Sequence, residues 1–283
     1  MTRTLEDLVA GLDARIDGPE RAEIRDVSYD SRKVRPGTLF VALRGAQSDG
    51  HRYLEAAIDS GASALLVEQP PESRPEHVAV ARVRDTRAAL ADVASRFFAH
   101  PARYLTLVGV TGTNGKTSTV RMLESILAAS GRSAGSIGTI SIRYPGFEEK
   151  SALTTPESLD LQRWFARMRD SGVEAVALEV SSHSLALGRV RGLRFAVAVF
   201  THLTQDHLDF HQDMESYGRA KSLLFGTEHL AGTAVLNAAD PWTGRFAEVA
   251  IAAGHPVSRF ARGRDSGADF CTVEERVELA RSR

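Results

Sequence analysis

Short apolar runs alternate with polar stretches marked by glycine or proline along the first hundred residues. Thr38–Leu43 (TLFVAL), Ser63–Glu68 (SALLVE) and His77–Val83 (HVAVARV) are β-rich and bounded by turn residues, so each predicts a strand. His51–Ser60 between the first two predicts a helix, stopped by Gly61. Asp85–Phe98 has apolar residues at helical spacing behind an Asp N-cap candidate. Ala99–Tyr104 reads as a linker. From Leu105 the alternation repeats on a larger scale, with strands expected at Leu105–Val110, Ala175–Val180, Phe195–Phe200 and Thr233–Asn237 and helices between them. This pattern predicts an α/β protein: a small N-terminal α/β domain over residues 1–100, then a mostly parallel sheet with helices on both faces over 101–283. The final CTVEERVELARSR begins a strand or helix with no closing element, so the second domain is expected to be C-terminally incomplete.

Composition narrows the function classes. A chain of 283 residues exceeds the usual reach of a single core, which supports two domains. The net charge of −1 and the lack of a basic stripe exclude a nucleic-acid partner from the expectation. Cys271 is the single cysteine, so neither a disulfide framework nor a cysteine-rich metal site is expected. The charged start MTRTLEDLVAGLD has no apolar signal core, and no run is long enough to span a membrane. A cytoplasmic protein with no membrane partner is expected.

The most informative stretch is LVGVTGTNGKTSTVRML, Leu107–Leu123. It reads strand, glycine loop, helix, yet it departs from G-x-x-x-x-G-K-[ST], because Val110 stands where the first glycine belongs and Gly109 comes one place early. In Gly112-Thr113-Asn114-Gly115-Lys116-Thr117-Ser118 the glycines let backbone N–H groups face an anion. Lys116 can reach outer phosphates and the Thr117 hydroxyl can bind Mg²⁺. The helix that follows adds its positive end, with Val120, Leu123 and Leu127 as a core-facing stripe and Gly131 as its stop. A nucleoside triphosphate with Mg²⁺ is the expected ligand, which leaves kinase, GTPase and ligase open.

Two further clusters bear on that choice. ALEVSSHSLALGRV (Ala177–Val190) puts Glu179 near the C-terminal end of an apolar strand, where parallel sheets gather ligands and where a buried carboxylate needs charge compensation. VFTHLTQDHLDFHQDMESYGRAKSLLF (Val199–Phe225) crowds His202, Asp206, His207 and His211 into a loop after another apolar strand, and sets Lys221 in an amphipathic helix downstream. Spacing alone leaves open whether these histidines and Lys221 are solvated or form a site.

In order, T-G-T-N-G-K-T, E-V-S-S-H, D-H-L-D and A-K-x-x-L-[FY] resemble the Mur ligases. The segments Asp26–Leu43, Ser48–Leu66 and Thr154–Gln162 (TTPESLDLQ) resemble the branch that adds the third residue of the muramoyl peptide, and the likeness extends to about Pro241. The resemblance implies a UDP-muramoyl-binding first domain and a P-loop ATPase second domain. It also implies ATP-dependent amide formation through an acyl phosphate in peptidoglycan precursor synthesis. UDP-N-acetylmuramoyl-L-alanyl-D-glutamate and an amino acid, diaminopimelate or lysine, would be the substrates.

By resemblance, Lys116 and the loop amides hold the phosphates, Thr117 and Glu179 one Mg²⁺, and His207 and Lys221 a second. An ammonium cannot ligate a cation, so the resemblance further implies an N6-carboxylated Lys221. Asp30, Ser31, Arg32, Gly50 and His51 match the uridine-diphosphate region, and Thr154, Thr155, Ser182 and Arg189 the muramoyl-dipeptide contacts. A guanidinium such as that of Arg189 suits bidentate capture of a carboxylate or phosphate. Asn237 and Asp240 in LNAADP match a nucleotide-proximal N-A-D-D-P, with Ala239 in place of an acidic residue.

Mur ligases resemble one another as three-domain enzymes, and by that resemblance this chain is expected to lack the C-terminal domain. Two alternatives therefore accompany the ligase expectation. One is a catalytically incomplete binding module for UDP-muramoyl peptide or ATP, completed by a separate chain that supplies the third domain. The other is a folylpolyglutamate-synthase-like ligase, against which TTPESLDLQ and the N-terminal domain count. A GTPase is disfavoured because no N-K-x-D signature occurs.

Overall fold

Alternating burial along two adjacent strands explains the first sheet. Leu39 and Val41 join one apolar cluster while Phe40 and Ala42 join another, and Ala64 and Leu66 alternate in the same way with Leu65 and Val67. Both faces are thus covered, as a largely parallel sheet requires. The computed structural model describes residues 2–45, 48–263 and 267–272. Its chain divides into two compact units.

The first unit comprises residues up to Leu105 together with Thr155–Glu174 and Ala186–Leu193. Its five-stranded sheet runs, in spatial order, Arg15–Asp17, Ala79–Arg82, Ala62–Val67, Thr38–Val41 and Asp26–Ser28. Only the first pairing is antiparallel. The helix Thr86–Phe97 is capped by Asp85, whose side chain accepts from the amides of Arg87 and Ala88. The expected helix from His51 is in fact a 3₁₀ turn, Gly50–Tyr53, leading into an α-helix, Leu54–Asp59. Asp49 causes the tight start by accepting from the His51 amide. The N-terminal stretch of the unit runs to Leu105. It also takes up the helix Ser158–Asp170, because Leu159 enters the same core as Leu90, Val93 and Phe97.

The second unit comprises Thr106–Thr154, Ala175–Leu185 and Arg194 onward. Its nine-stranded sheet runs Phe147–Lys150, Ser141–Tyr144, Ala134–Ile137, Ala175–Glu179, Thr106–Thr111, Phe195–Phe200, Leu230–Asn237, Val257–Arg262 and Phe270–Thr272. The first two pairings are antiparallel and the rest parallel. The strand expected at Phe195–Phe200 has those bounds, and the strand expected from Thr233 begins three residues earlier, at Leu230. The element expected after Cys271 is a strand as far as Thr272, and its remainder lies outside the described residues. Val110 pairs with Glu179, Thr111 with Phe200, and Phe200 with Leu236. These registers bring the C-terminal ends of four parallel strands to one level, and the loops leaving that level carry the polar chemistry.

Candidate active site

Within the second unit the loop after Thr111 turns on two left-handed glycines, Gly112 at φ 147° and Gly115 at φ 83°. Such angles strain any residue with a Cβ. At Gly112 there is also no room for one, since a methyl would overlap Thr201 Oγ1. The helix Lys116–Ala129 begins directly after Gly115, so its first amides face the loop. A cavity of about 230 Å³ is lined by Thr113, Asn114, Gly115, Lys116, Thr117, Ser118, Thr139, Thr154 and Glu179.

The segment after the strand Phe195–Phe200 braces this loop. Thr201 Oγ1 donates to the Asn114 carbonyl at 2.7 Å, and the Thr113 amide donates to the His202 carbonyl at 2.7 Å. Thr113 Oγ1 donates to the Thr204 carbonyl and accepts from the Thr204 amide, both at 3.0 Å. Asn237 and Asp240 stand behind this brace. Asn237 Nδ2 donates to the Thr201 carbonyl at 2.7 Å, and Asp240 Oδ2 accepts from the Leu203 amide at 2.8 Å. Asn237 Oδ1 and Asp240 Oδ1 accept from the amides of Ala239 and Trp242, so both side chains serve the backbone.

Two lysines converge on the loop. Lys116 Nζ donates to the carbonyls of Gly112 and Thr113, each at 2.8 Å. Lys221 Nζ donates to the Gly112 carbonyl at 2.9 Å and lies 4.6 Å from the Tyr217 ring centroid. Burial pushes the Lys116 ammonium below its usual range, against the pull of Glu179 and Asp206. Burial pushes Lys221 down further, to about 7, and the Lys116 charge adds to the effect while Asp206 opposes it. The Glu179 carboxylate, 1% exposed, accepts from the Thr139 amide at 3.0 Å and from Thr139 Oγ1 at 3.1 Å.

His207 sits in the left-handed region at φ 53° and heads the helical turn Leu208–His211. Its ring lies edge-on to His183, with centroids 4.8 Å apart, and 6.2 Å from Tyr217. His211 Nε2 is 2.9 Å from Ser182 Oγ, and burial holds this imidazole below its ordinary range, helped by the neighbouring His183, Lys221 and His207.

In the first unit, a cavity of about 560 Å³ is lined in part by Tyr29, Asp30, Ser31, Arg32, Gly50, Arg87 and Glu157. Asp30 caps the turn Ser31–Lys33 and accepts from Arg32 Nε at 2.8 Å, which holds its carboxyl below the usual carboxylate range. The His51 ring is not part of that lining. Its Nδ1 is 2.7 Å from Asp49 and its Nε2 accepts from the Glu68 amide at 3.0 Å, so both ring nitrogens are engaged by the protein. Glu157 receives Arg87 Nη1 on both oxygens, at 3.0 and 2.9 Å, and Arg189 Nε lies 2.9 Å from Oε1. Arg189 also donates to the Thr155 carbonyl at 3.1 Å.

The model for the Mur ligase middle domain matches residues 110–279 of this chain, more than half of it, and the model for the Mur ligase family catalytic domain matches residues 23–98. The chain belongs to the Mur ligase family. Among curated relatives, the UDP-N-acetylmuramoyl-L-alanyl-D-glutamate–2,6-diaminopimelate ligase of Gloeobacter violaceus is 46% identical over 245 residues, covering 86% of this chain and 50% of the relative. The ligase of the same name from Clostridioides difficile is 43% identical over 272 residues, covering 94% and 54%. A solved structure of a ligase of that name superposes with a TM-score of 0.79 at 25% identity, over 96% of this chain and 54% of that one. MurF from Acinetobacter baumannii shares the fold, with a TM-score of 0.68 at 22% identity over 97% and 56%. The chain spans about half the length of the curated relatives it matches.

Set against this Mur ligase frame, the site residues expected from sequence fall into groups. Thr113–Ser118, Glu179 and Thr154 share one cavity, Gly112 lies outside its lining, and Lys221 reaches the Gly112 carbonyl that Lys116 also holds. Thr117 and Glu179 supply a hydroxyl and a carboxylate to that cavity, which suits an Mg²⁺ ion that keeps waters and takes its other oxygens from a phosphate. The donor set expected for a second ion does not fit as it stands, because Lys221 presents an ammonium and no group of three or more His, Cys, Asp or Glu ligands occurs among the described residues. Ser182 is buried against His211, and Arg189 is taken up by Glu157, a residue the sequence analysis did not single out. Thr139 and Thr201 were also missed. Their roles arise from pairings 40 and 87 residues away in the chain, which no local pattern signals.

Proposed function

We propose that this chain carries the nucleotide and UDP-muramoyl-dipeptide sites of an ATP-dependent amide ligase that extends UDP-N-acetylmuramoyl-L-alanyl-D-glutamate by an amino acid, in the cytoplasm where ATP is made available. The observation that carries the reading is the convergence of Lys116 and Lys221 on the Gly112 carbonyl beside Glu179, in a chain 43–48% identical to ligases named for that reaction. The amides from Asn114 to Thr117 and the first turn of the following helix cradle the triphosphate, the Thr113 amide being committed to the His202 carbonyl, and Lys116 leaves its two loop carbonyls to meet phosphate oxygens. Asp30, Ser31, Arg32 and Gly50, which line the first unit's cavity, hold the uridine diphosphate, with His51 as a brace for the loop rather than a contact. Thr154, Thr155, Ser182 and Arg189 are assigned to the dipeptide.

The substrate carboxylate attacks the terminal phosphorus and ADP leaves. The amine then attacks the activated carbonyl, and phosphate departs as the amine loses a proton. Bound Mg²⁺ supplies charge neutralisation on the phosphates. A neutral Lys221 amine would attack CO₂ and release a proton to solvent, which would put an anionic carbamate in place of the ammonium. Asn237 and Asp240, assigned to the nucleotide by resemblance, act here by fixing the Thr201–Thr204 brace.

The test is phosphate release from ATP with UDP-N-acetylmuramoyl-L-alanyl-D-glutamate, Mg²⁺ and bicarbonate, adding diaminopimelate or lysine in turn. Release that depends on one amino acid, with the matching UDP-tripeptide by mass spectrometry, is the expected result. Folded protein that binds ATP and releases none would remove the ligase reading for this chain.

A further inference from the structure

A carboxylate at a strand end can rotate about its last bond, and metal binding demands that it does not. In this chain one residue holds both oxygens of Glu179: the Thr139 amide donates to Oε1 at 3.0 Å and the Thr139 hydroxyl to Oε2 at 3.1 Å. The same hydroxyl lies 3.0 Å from Thr154 Oγ1. A hydroxyl has one hydrogen, and an ionised carboxylate only accepts, so Thr139 gives its hydrogen to Glu179 and accepts from Thr154. The result is a directed relay, Thr154 to Thr139 to Glu179, and all three residues line the cavity of the phosphate loop.

The neighbouring Gly138 completes the fit. A side chain there would overlap Glu179 Oε1, and the Gly138 amide is tied to the Ser141 carbonyl at 3.2 Å, which fixes the turn that carries Thr139. Thr139 is itself exposed toward the cavity, so its hydroxyl is not part of the packed core.

We propose that Thr139 is a positioning residue. It orients Glu179 toward the cation that accompanies a nucleoside triphosphate, and through Thr154 it links that carboxylate to whatever occupies the opposite wall of the cavity. The inference rests on the nucleotide reading given above. Removing the hydroxyl frees one carboxylate oxygen and strips Thr154 of its acceptor, while the amide contact and the fold persist.

The experiment is calorimetric titration of the full chain with ATP, in Mg²⁺ and separately in EDTA, for the wild type, Thr139→Val, Thr139→Ser, Glu179→Gln and the Glu179→Gln/Thr139→Val pair. Thr139→Val is expected to weaken Mg²⁺–ATP binding about tenfold, the scale of one hydrogen bond to a charged group, and to leave metal-free ATP binding unchanged. Thr139→Ser restores the affinity, and in the Glu179→Gln background Thr139→Val has no further effect. Wild-type affinity in Thr139→Val, equal losses with and without Mg²⁺, or a full added loss on Glu179→Gln would each overturn the proposal alone. A wild-type chain that binds no ATP under either condition would overturn the nucleotide reading and this inference with it.

Discussion

Lys116 and Lys221 donate to the same backbone oxygen, the carbonyl of Gly112, at 2.8 and 2.9 Å. Two ammonium groups are drawn together there from positions 105 residues apart in sequence (221 − 116), one at the start of the loop helix and one inside a later helix. Their mutual repulsion is tolerated because the carbonyl dipole and the fields of Glu179 and Asp206 offset it. The arrangement concentrates positive charge at the loop, which is what a polyanionic ligand requires.

Burial of Lys221, and secondarily the Lys116 charge, makes stability depend on pH above neutrality. The folded Lys221 titrates near 7 instead of 10.5, so between those values the unfolded chain binds more protons and stability rises with pH. In CO₂-free, metal-free buffer, the wild type should gain on the order of a few kcal/mol relative to Lys221→Met between pH 7 and 10. Urea denaturation midpoints across that range measure the difference. Parallel curves for the two proteins would contradict the lowered titration of the buried Lys221.

At Gly138 the expected effect falls on binding more than on folding. The overlapped atoms belong to the Glu179 side chain, which can swing aside, and no left-handed angle is needed at Gly138. Gly138→Ala should cost about 1–3 kcal/mol of stability, the range for overpacking, while weakening Mg²⁺–ATP binding. Thermal melts and calorimetry on the same preparation separate the two effects.

The Glu157 cluster predicts a stability loss in the first unit. Removing the carboxylate leaves Arg87 and Arg189 facing each other with their main anion gone. Glu157→Ala should destabilise by roughly 3–5 kcal/mol, and Glu157→Ala/Arg87→Met by less, because the second change removes one orphaned charge. Urea unfolding of both variants tests this order.

Thr201 should control the mobility of the loop. Thr201→Val removes the donor to the Asn114 carbonyl, worth about 1 kcal/mol, so amides from Gly112 to Lys116 should exchange roughly fivefold faster. Hydrogen-exchange mass spectrometry of the peptide that spans the loop gives the comparison.

The strand, glycine loop and helix around Lys116 were legible in the sequence because three independent signals coincide there: an apolar run, two glycines and a helical stripe. Glu179 was legible as a carboxylate in an apolar strand. The hairpin Ser141–Tyr144 with Phe147–Lys150 was not, since its outer strand reads FEEK, an exposed edge with no apolar face. The short strands Arg3–Thr4 and Glu23–Ile24 carry too few residues to show a period. Thr139, Thr201 and Glu157 stayed hidden for a different reason. Each is an ordinary polar residue in sequence, and only strand register or helix docking gives it a partner. Asn237 and Asp240 show the converse: motif resemblance found the residues, while the hydrogen bonds show them holding the Thr201–Thr204 segment.

Phosphate binding at this loop requires Lys116 to exchange its two loop carbonyls for phosphate oxygens. The direct measurement is Mg²⁺–ATP affinity of the wild type and Lys116→Ala, with folding of both verified by circular dichroism. A loss of about 10- to 150-fold, the range for a charged hydrogen-bonding contact, is the predicted result. Equal affinity in the two proteins would contradict the assignment of this loop as the phosphate site.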